Sequence, residues 1–344
     1  MVLGGLFIAL LFVVMFASGA GAVKIPAIQV LSILLSKIGL PPIAEFTTQY
    51  ELVLIGIRLP RVVLGVIAGM GLSISGALMQ GLFRNPLADP ALIGVSSGAS
   101  LGASIMIVTG SLIPGFIASS LGVFSIALSA FLVGLLVTLV VYRIATHGSQ
   151  TSVATMLLAG IALNALCGAG TGALVLFADD TQLRDLTFWS LGSLGSATWH
   201  TLAVVTPFTL IALFFSPKLA RSLNAMLLGE AEARHLGVDT ERMKKLVIFL
   251  SALAVGSVTA VTGLIGFVGL VVPHLIRLTL GPDHRILLPA SALLGAILMV
   301  GADLLARILI QPSEIPIGIL TALGGAPFFL WLLLRGYSRG NLQG

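Results

Sequence analysis

The chain has 344 residues, of which only 9% are Asp, Glu, Lys or Arg and 57% are hydrophobic, with a formal net charge of +5 and a mean hydropathy of +1.12. A soluble chain carries charge on about a quarter of its residues, and soluble domains divide long before polar surface becomes this scarce, so a water-soluble globule is excluded. Lipid must be the solvent for most of this chain. A backbone in lipid has to satisfy its own polar groups, which leaves helices or a closed barrel, and the apolar runs here far exceed the roughly ten-residue alternating strands of a barrel. The expected fold is all-α: a polytopic transmembrane helical bundle forming one domain over 1–344.

The first apolar run, 2–23, ends in small residues as a signal peptide does. It lacks a basic leading region and is long enough to span, so it is read as the first transmembrane helix. With about twenty apolar residues needed per span, further runs fall at 60–83, 91–112, 117–142, 152–177, 196–216, 246–266, a shorter one at 267–281, then 286–310 and 315–335, which makes about ten helices. With the N-terminus inside, Lys24, Lys37, Arg58, Arg61, Arg184 and Arg307 lie outside, and the remaining 12 of the 18 basic residues lie inside. This asymmetry predicts both termini on the cytoplasmic side of a bacterial inner membrane. It also gives the positive charge a meaning as topology rather than as affinity for nucleic acid.

Glycines recur at spacings of four, as at Gly94, Gly98 and Gly102 or Gly168 and Gly172, which lets helix backbones approach closely. Pro273 with Gly263, Gly266 and Gly269 predicts broken helical structure, which at membrane depth must be enclosed by protein or line a cavity. Cys167, the single cysteine, can form no internal disulfide and reads as a small core residue. Asp179, Asp180, Gln182, Arg184 and Asp185 read as a solvated loop between helices. The segment 217–245 is the longest polar stretch. Leu223, Met226 and Leu227, then Ala231 and His235, predict two short amphipathic helices broken at Gly229 and ended at Gly237, a cytoplasmic surface for a partner.

No phosphate-binding glycine loop and no zinc-protease motif occurs, so no catalytic residue and no metal site is assigned, and any ATP drive must come from partner subunits. The strongest string is Arg58-Leu-Pro-Arg61 with Gly65, Gly69, Gly71 and Gly76, then Arg84-Asn-Pro-Leu-Ala-Asp-Pro90 and Leu92-Ile-Gly-Val-Ser-Ser-Gly98. Together with Leu228-Gly-Glu-Ala-Glu-Ala-Arg-His-Leu-Gly237 and Gly266-Phe-Val-Gly-Leu-Val-Val-Pro-His-Leu-Ile-Arg277, it resembles the FecCD-type permease subunits of ATP-driven importers for iron-siderophores, haem and cobalamin. The resemblance covers nearly the whole chain. It implies ten helices per subunit, a homodimer, two ATP-binding cassette subunits on the cytoplasmic face and a periplasmic substrate-binding protein.

Carried over residue by residue, Arg58 and Arg61 match arginines that pair with glutamates of the binding protein, and Arg307 resembles a third. An arginine near the interface is tolerable when its fork meets a carboxylate; for Arg307 the competing reading is an internal pair with Asp303 at i, i+4. Leu228, Gly229, Glu230, Arg234 and His235 resemble the helices that couple permease to ATPase, against the alternative of a merely solvated face. Asn85, Leu87, Thr151 and Ser152 match positions lining the family's cytoplasmic gate, although small polar groups at helix ends also act as caps.

The substrate is the harder question. His274 and Arg277 share a helical face, and haem accepts axial histidine while its propionates suit arginine, so the two are candidates for the substrate path with His284. Packing beside Pro273 is the alternative for His274. Phe188-Trp-Ser-Leu-Gly-Ser-Leu-Gly195 and the 228–237 string favour a haem permease over cobalamin or ferric-siderophore permeases. An ion-driven secondary transporter is the rival of a different class. It would need a membrane-embedded acid, for which Asp303 is the candidate, with Arg307 as its plausible partner.

Overall fold

The computed structural model describes residues 2–110, 124–148, 150–310 and 313–338. Within these, the helices are α1 (Val2–Gly19), α2 (Ala27–Lys37), α3 (Thr48–Val53), α4 (Leu59–Phe83), α5 (Val95–Thr109), α6 (Phe124–Ala145), α7 (Val153–Val175) and α8 (Asp180–Leu191). There follow α9 (Trp199–Phe215), α10 (Ala220–Met226), α11 (Glu230–His235), α12 (Thr240–Thr262), α13 (Val268–Leu280), α14 (His284–Ile308) and α15 (Ile317–Ser338). A two-residue hairpin, β1 (Thr146–His147) against β2 (Gln150–Thr151), joins α6 to α7, with Thr146 opposite Thr151.

The fold is the expected polytopic helical bundle. Seven helical stretches among the described residues are long and apolar enough to span a membrane, and four shorter apolar helices accompany them. The ten predicted runs fall on those seven and on three of the shorter ones, α5, α13 and α15. Residues 111–112 and 117–123 of two predicted runs, and Arg339, lie outside the described residues.

Three departures from the sequence reading have physical causes. The 11-residue α2 is too short to register as a span and was not foreseen. The run at 60–83 starts twelve residues earlier in space, because α3 passes through a π turn, Leu54–Arg58, directly into α4. Pro60 has no N–H to give and its ring crowds the carbonyl of Gly56; the wider turn, in which the Leu59 N–H bonds Leu54 O, absorbs that defect. The polar stretch after Asp179 is a helix, α8, rather than a loop: Asp179 accepts from the Gln182 N–H, and Gln182 returns a bond to the Asp179 N–H.

α4 and α12 form the axis of the bundle. In each, 78% of the most apolar stretch is buried, against 22% in α7 at the periphery. Close approach makes this axis possible. A Cβ on Gly69 would lie 2.2 Å from Gly295 O on α14, and one on Gly76 would lie 1.6 Å from Gly269 O on α13. The predicted break sits before α13, where Gly263 has φ +71° and Phe267 φ +68°. Pro273 is inside α13, where its missing N–H frees the carbonyl four residues back, that of Gly269. The bare Gly76 backbone leaves room for that oxygen.

Candidate functional site

Among the described residues, the predicted site positions fall in three polar clusters. The first closes one end. α1 stops at Gly19 and leaves its last carbonyls without helical partners. Arg58 donates from Nη1 to Ser18 O at 3.2 Å and Gly19 O at 2.8 Å, and from Nη2 to Val23 O. Arg307 donates to Ala20 O at 3.2 Å and Ala17 O at 3.1 Å. Two guanidiniums from α14 and the π turn thus cap the negative end of the α1 dipole. Arg61 donates from Nε to Asp303 Oδ1 at 2.8 Å and holds Glu314 from Nη1 at 3.0 and 2.9 Å to its two oxygens. Arg307 Nε stands 3.0 Å from Asp303 Oδ2. All three arginines and Asp303 are buried, while Glu314 is half exposed. The i, i+4 pair of Asp303 with Arg307 is therefore present, and Asp303 is shared with Arg61.

The second cluster lies at the opposite end, where α11, the start of α12 and the β hairpin meet. Lys244 is 1% exposed. Its Nζ donates to Thr151 O at 2.7 Å, Glu230 Oε1 at 2.7 Å and Glu241 Oε1 at 2.9 Å. Arg234 reaches Glu230 at 2.6 Å, Glu241 at 3.2 Å and the Thr240 hydroxyl at 3.0 Å. Glu241 Oε2 accepts from the Thr151 N–H at 2.9 Å. Partial burial works against the Glu230 carboxylate, but the Lys244 ammonium and the Arg234 guanidinium more than offset it and hold its pKa below the usual carboxylate range. His235 is exposed and Gly229, at φ +125°, turns the chain tightly between α10 and α11. Leu227, Leu228 and Leu236 stand out from the same surface, Leu228 at 66% exposure. Of the predicted gate positions, Asn85, Leu87 and Ser152 make local bonds, Asn85 accepting from the Leu87 N–H at 2.9 Å and Ser152 capping α7 through the Thr155 N–H, whereas Thr151 is held across the fold by Lys244 and Glu241.

The third cluster is internal. His274 packs against the rings of Phe328 and Phe329 on α15 at 6.3 and 6.2 Å between centroids. Arg277 donates to Gln80 Oε1 at 2.7 Å, and Gln80 donates to Leu270 O. His284 has no exposed surface. Asn224 Oδ1 accepts from its N–H at 2.9 Å and lies 2.8 Å from its Nδ1, so Nδ1 carries the proton and Nε2 faces Gly81. Asn224 in turn donates to Asp283 at 2.6 Å. His274 and His284 thus have different neighbours, α15 for one and α10 for the other.

The sequence reading missed Lys244, Glu241, Glu314, Asn224 and Gln80. Glu230 with Arg234 at i, i+4 and Glu241 with Lys244 at i, i+3 carry the spacing of helical ion pairs, which was a legible signal. The partners across the fold, Thr151 for Lys244 and Gln80 for Arg277, leave no such local signal.

The model of the FecCD transport family matches residues 9–335. The chain belongs to that family. Among curated members, the hemin transport system permease protein HmuU of Yersinia pestis is 48% identical over 281 residues, 82% of this chain and 83% of the relative. The cobalamin import system permease protein BtuC of Halobacterium salinarum is 41% identical over 315 residues, 91% and 80% of the two chains. A solved transporter assigned to the metal-chelate ABC type, in an inward-facing conformation, superposes with a TM-score of 0.83 at 32% identity, covering 97% of this chain and 98% of that one. FecCD membership and the spans together make this a multi-pass membrane protein of a transport family, with the charged α11 surface at one end and the buried arginines at the other.

Proposed function

We propose that the chain is the transmembrane permease subunit of an ATP-driven, binding-protein-dependent importer of haem, or of another iron chelate, across the inner membrane. The identity with the hemin permease carries the substrate reading. Identity with the cobalamin permease over a larger share of the chain favours cobalamin as the second reading. In this proposal two copies form the path, both termini are cytoplasmic, and ATP is bound and hydrolysed on partner subunits docked at α10 and α11. The exposed Leu227, Leu228 and Leu236 suit such a protein contact, because apolar side chains that stand out from a surface are buried at the centre of an interface while charged groups beside them keep to its polar rim.

The binding protein would dock at the arginine end. There its acidic groups would compete with Asp303, Glu314 and the α1 carbonyls for Arg58, Arg61 and Arg307. Asn85, Leu87, Thr151 and Ser152 would border the cytoplasmic gate. Contact of substrate with His274, Arg277 or His284 would require α13 to part from α15 or α10, given their present neighbours. The ion-driven alternative is weakened by Asp303, whose charge is already matched by two arginines.

The test is uptake in liposomes holding the permease and its ATPase partner, with binding protein loaded with haemin, cobalamin or a ferric siderophore. Haemin accumulation that depends on ATP supports the proposal. Cobalamin-only or siderophore-only accumulation replaces the substrate, and accumulation without the ATPase subunits rejects the importer class.

A further inference from the structure

We infer that Lys244 is a positioning residue that ties the α11 surface to the β hairpin at Thr151, so that a push on α11 moves the start of α7. The inference rests on the proposal that α11 receives the ATPase subunits. Lys244 is on α12, one of the two most enclosed helices, yet its ammonium is directed at three acceptors on three separate elements: Glu230 of α11, Glu241 of its own helix and the Thr151 carbonyl of β2. An ammonium at 1% exposure is tolerated only while its acceptors stay in place, which makes the three elements one unit.

Thr151 is gripped twice. Its carbonyl accepts from Lys244 and its N–H donates to Glu241, and Glu241 is itself held by Lys244. Thr151 also pairs with Thr146 at the end of α6, and Val153, two residues on, begins α7. α7 is a peripheral helix with 22% of its most apolar stretch buried. Met156 seats the same turn in the apolar core and the Ser152 N–H bonds Ala145 O, so what the Lys244 clamp adds is the polar tie between that turn and α11. Arg234 braces the same two carboxylates from the solvent side at 43% side-chain exposure and can be strained without exposing a buried charge. Lys244 has no such latitude, which assigns the transmission to it.

The experiment compares wild type with Lys244→Met, Glu241→Gln and the double variant, using the full permease with its ATPase subunits in liposomes and haemin-loaded binding protein. The readouts are ATPase copurification, ATP hydrolysed per haemin moved, and hydrogen exchange of the Thr151 amide in permease alone. Lys245→Met, at the exposed neighbouring position, is the control. The expected result is an assembled complex in which ATP consumed per haemin rises roughly tenfold, faster exchange at Thr151, and a double variant no worse than Lys244→Met. An unchanged ratio with unchanged Thr151 exchange overturns the inference. A merely structural role would lower the yield of complex without altering the ratio, and would equally overturn it. Should Lys244→Met fail to assemble, Lys244→Met with Glu230→Gln, which removes both opposite charges, supplies the same two readouts. Failure of the wild-type permease to retain ATPase subunits rejects the docking proposal instead, and the exchange measurement still decides whether the tie exists.

Discussion

Arg61 and Asp303, 242 positions apart in the chain, meet at 2.8 Å between Nε and Oδ1 in a buried site between α4 and α14. Asp303 also faces Arg307 at 3.0 Å, so one carboxylate separates two guanidiniums. Breaking a buried pair from one side costs about 3–5 kcal/mol, because the remaining charge stays behind unpaired. Arg61→Met leaves Asp303 with Arg307 and is expected to cost about 3 kcal/mol, the low end of that range. Asp303→Asn leaves two neighbouring cations and is expected to cost more. Thermal unfolding in detergent at one fixed scan rate ranks the two; a smaller loss for Asp303→Asn would contradict this account of the cluster.

Arg58 and Arg307 divide the terminal carbonyls of α1 between them, Ser18 and Gly19 for one and Ala17 and Ala20 for the other. Loss of a donor that leaves buried acceptors unmatched costs about 1–3 kcal/mol. Arg58→Ala should lower the unfolding temperature and raise hydrogen exchange at Ile25, whose N–H bonds Gly19 O in the same turn. Arg58→Lys should restore little, since a single ammonium cannot present the two-nitrogen fork that reaches Ser18 and Gly19 O from Nη1 and Val23 O from Nη2. Full recovery in the lysine variant would show that charge alone holds this end.

Much of the bundle was legible because lipid imposes a simple rule: a long apolar run must be a helix. That rule failed where length or polarity misled it. α2 is too short to register, α8 is too polar, and α12 begins at Thr240 rather than 246, where Asp239 caps it through the Arg242 N–H and Glu230 and Glu241 neutralise the buried Lys244. The glycine spacing at Gly98 and Gly102 correctly marked a close approach, to Gly134 and Ser129 of α6, whereas a Cβ at Gly168 would meet nothing within 4 Å among the described residues. Of the site residues, Arg58, Arg61 and Arg307 were singled out by motif, and the structure brings them together at one end. The capping of α1 by Arg58 and Arg307 was beyond reach, since a backbone carbonyl has no signature in sequence.

The Glu230 carboxylate gives the α11 cluster a pH dependence of fixed sign. Its pKa is lowered in the folded state by Lys244 and Arg234, so its contribution to stability is fully present above the unfolded glutamate value of roughly 4.3 and is lost as pH falls through the depressed folded value. The difference in unfolding temperature between wild type and Glu230→Gln should therefore be largest near neutrality and shrink on acidification towards pH 3. A difference that grew on acidification would mean that the folded state favours the protonated carboxyl, contrary to the geometry around Lys244 Nζ.

Gly76 and Gly168 make opposite predictions from the same residue type. Both lie in helices, where alanine has the better intrinsic propensity by about 1 kcal/mol. At Gly168 an added Cβ meets no atom within 4 Å among the described residues, so Gly168→Ala should leave the fold of the subunit neutral or slightly more stable. At Gly76 the added Cβ would sit 1.6 Å from Gly269 O and 2.8 Å from Gly269 Cα, a clash with backbone that no side-chain rotation relieves. Gly76→Ala must push α13 away from α4, and overpacking of this kind costs roughly 1–3 kcal/mol or more. The displacement would also pull on the Arg277–Gln80 bond, which crosses the same pair of helices one turn further along. Folded yield after detergent extraction and the unfolding temperature give the comparison: a Gly76→Ala variant as stable as Gly168→Ala would mean that the α4–α13 contact is looser than the backbone positions require.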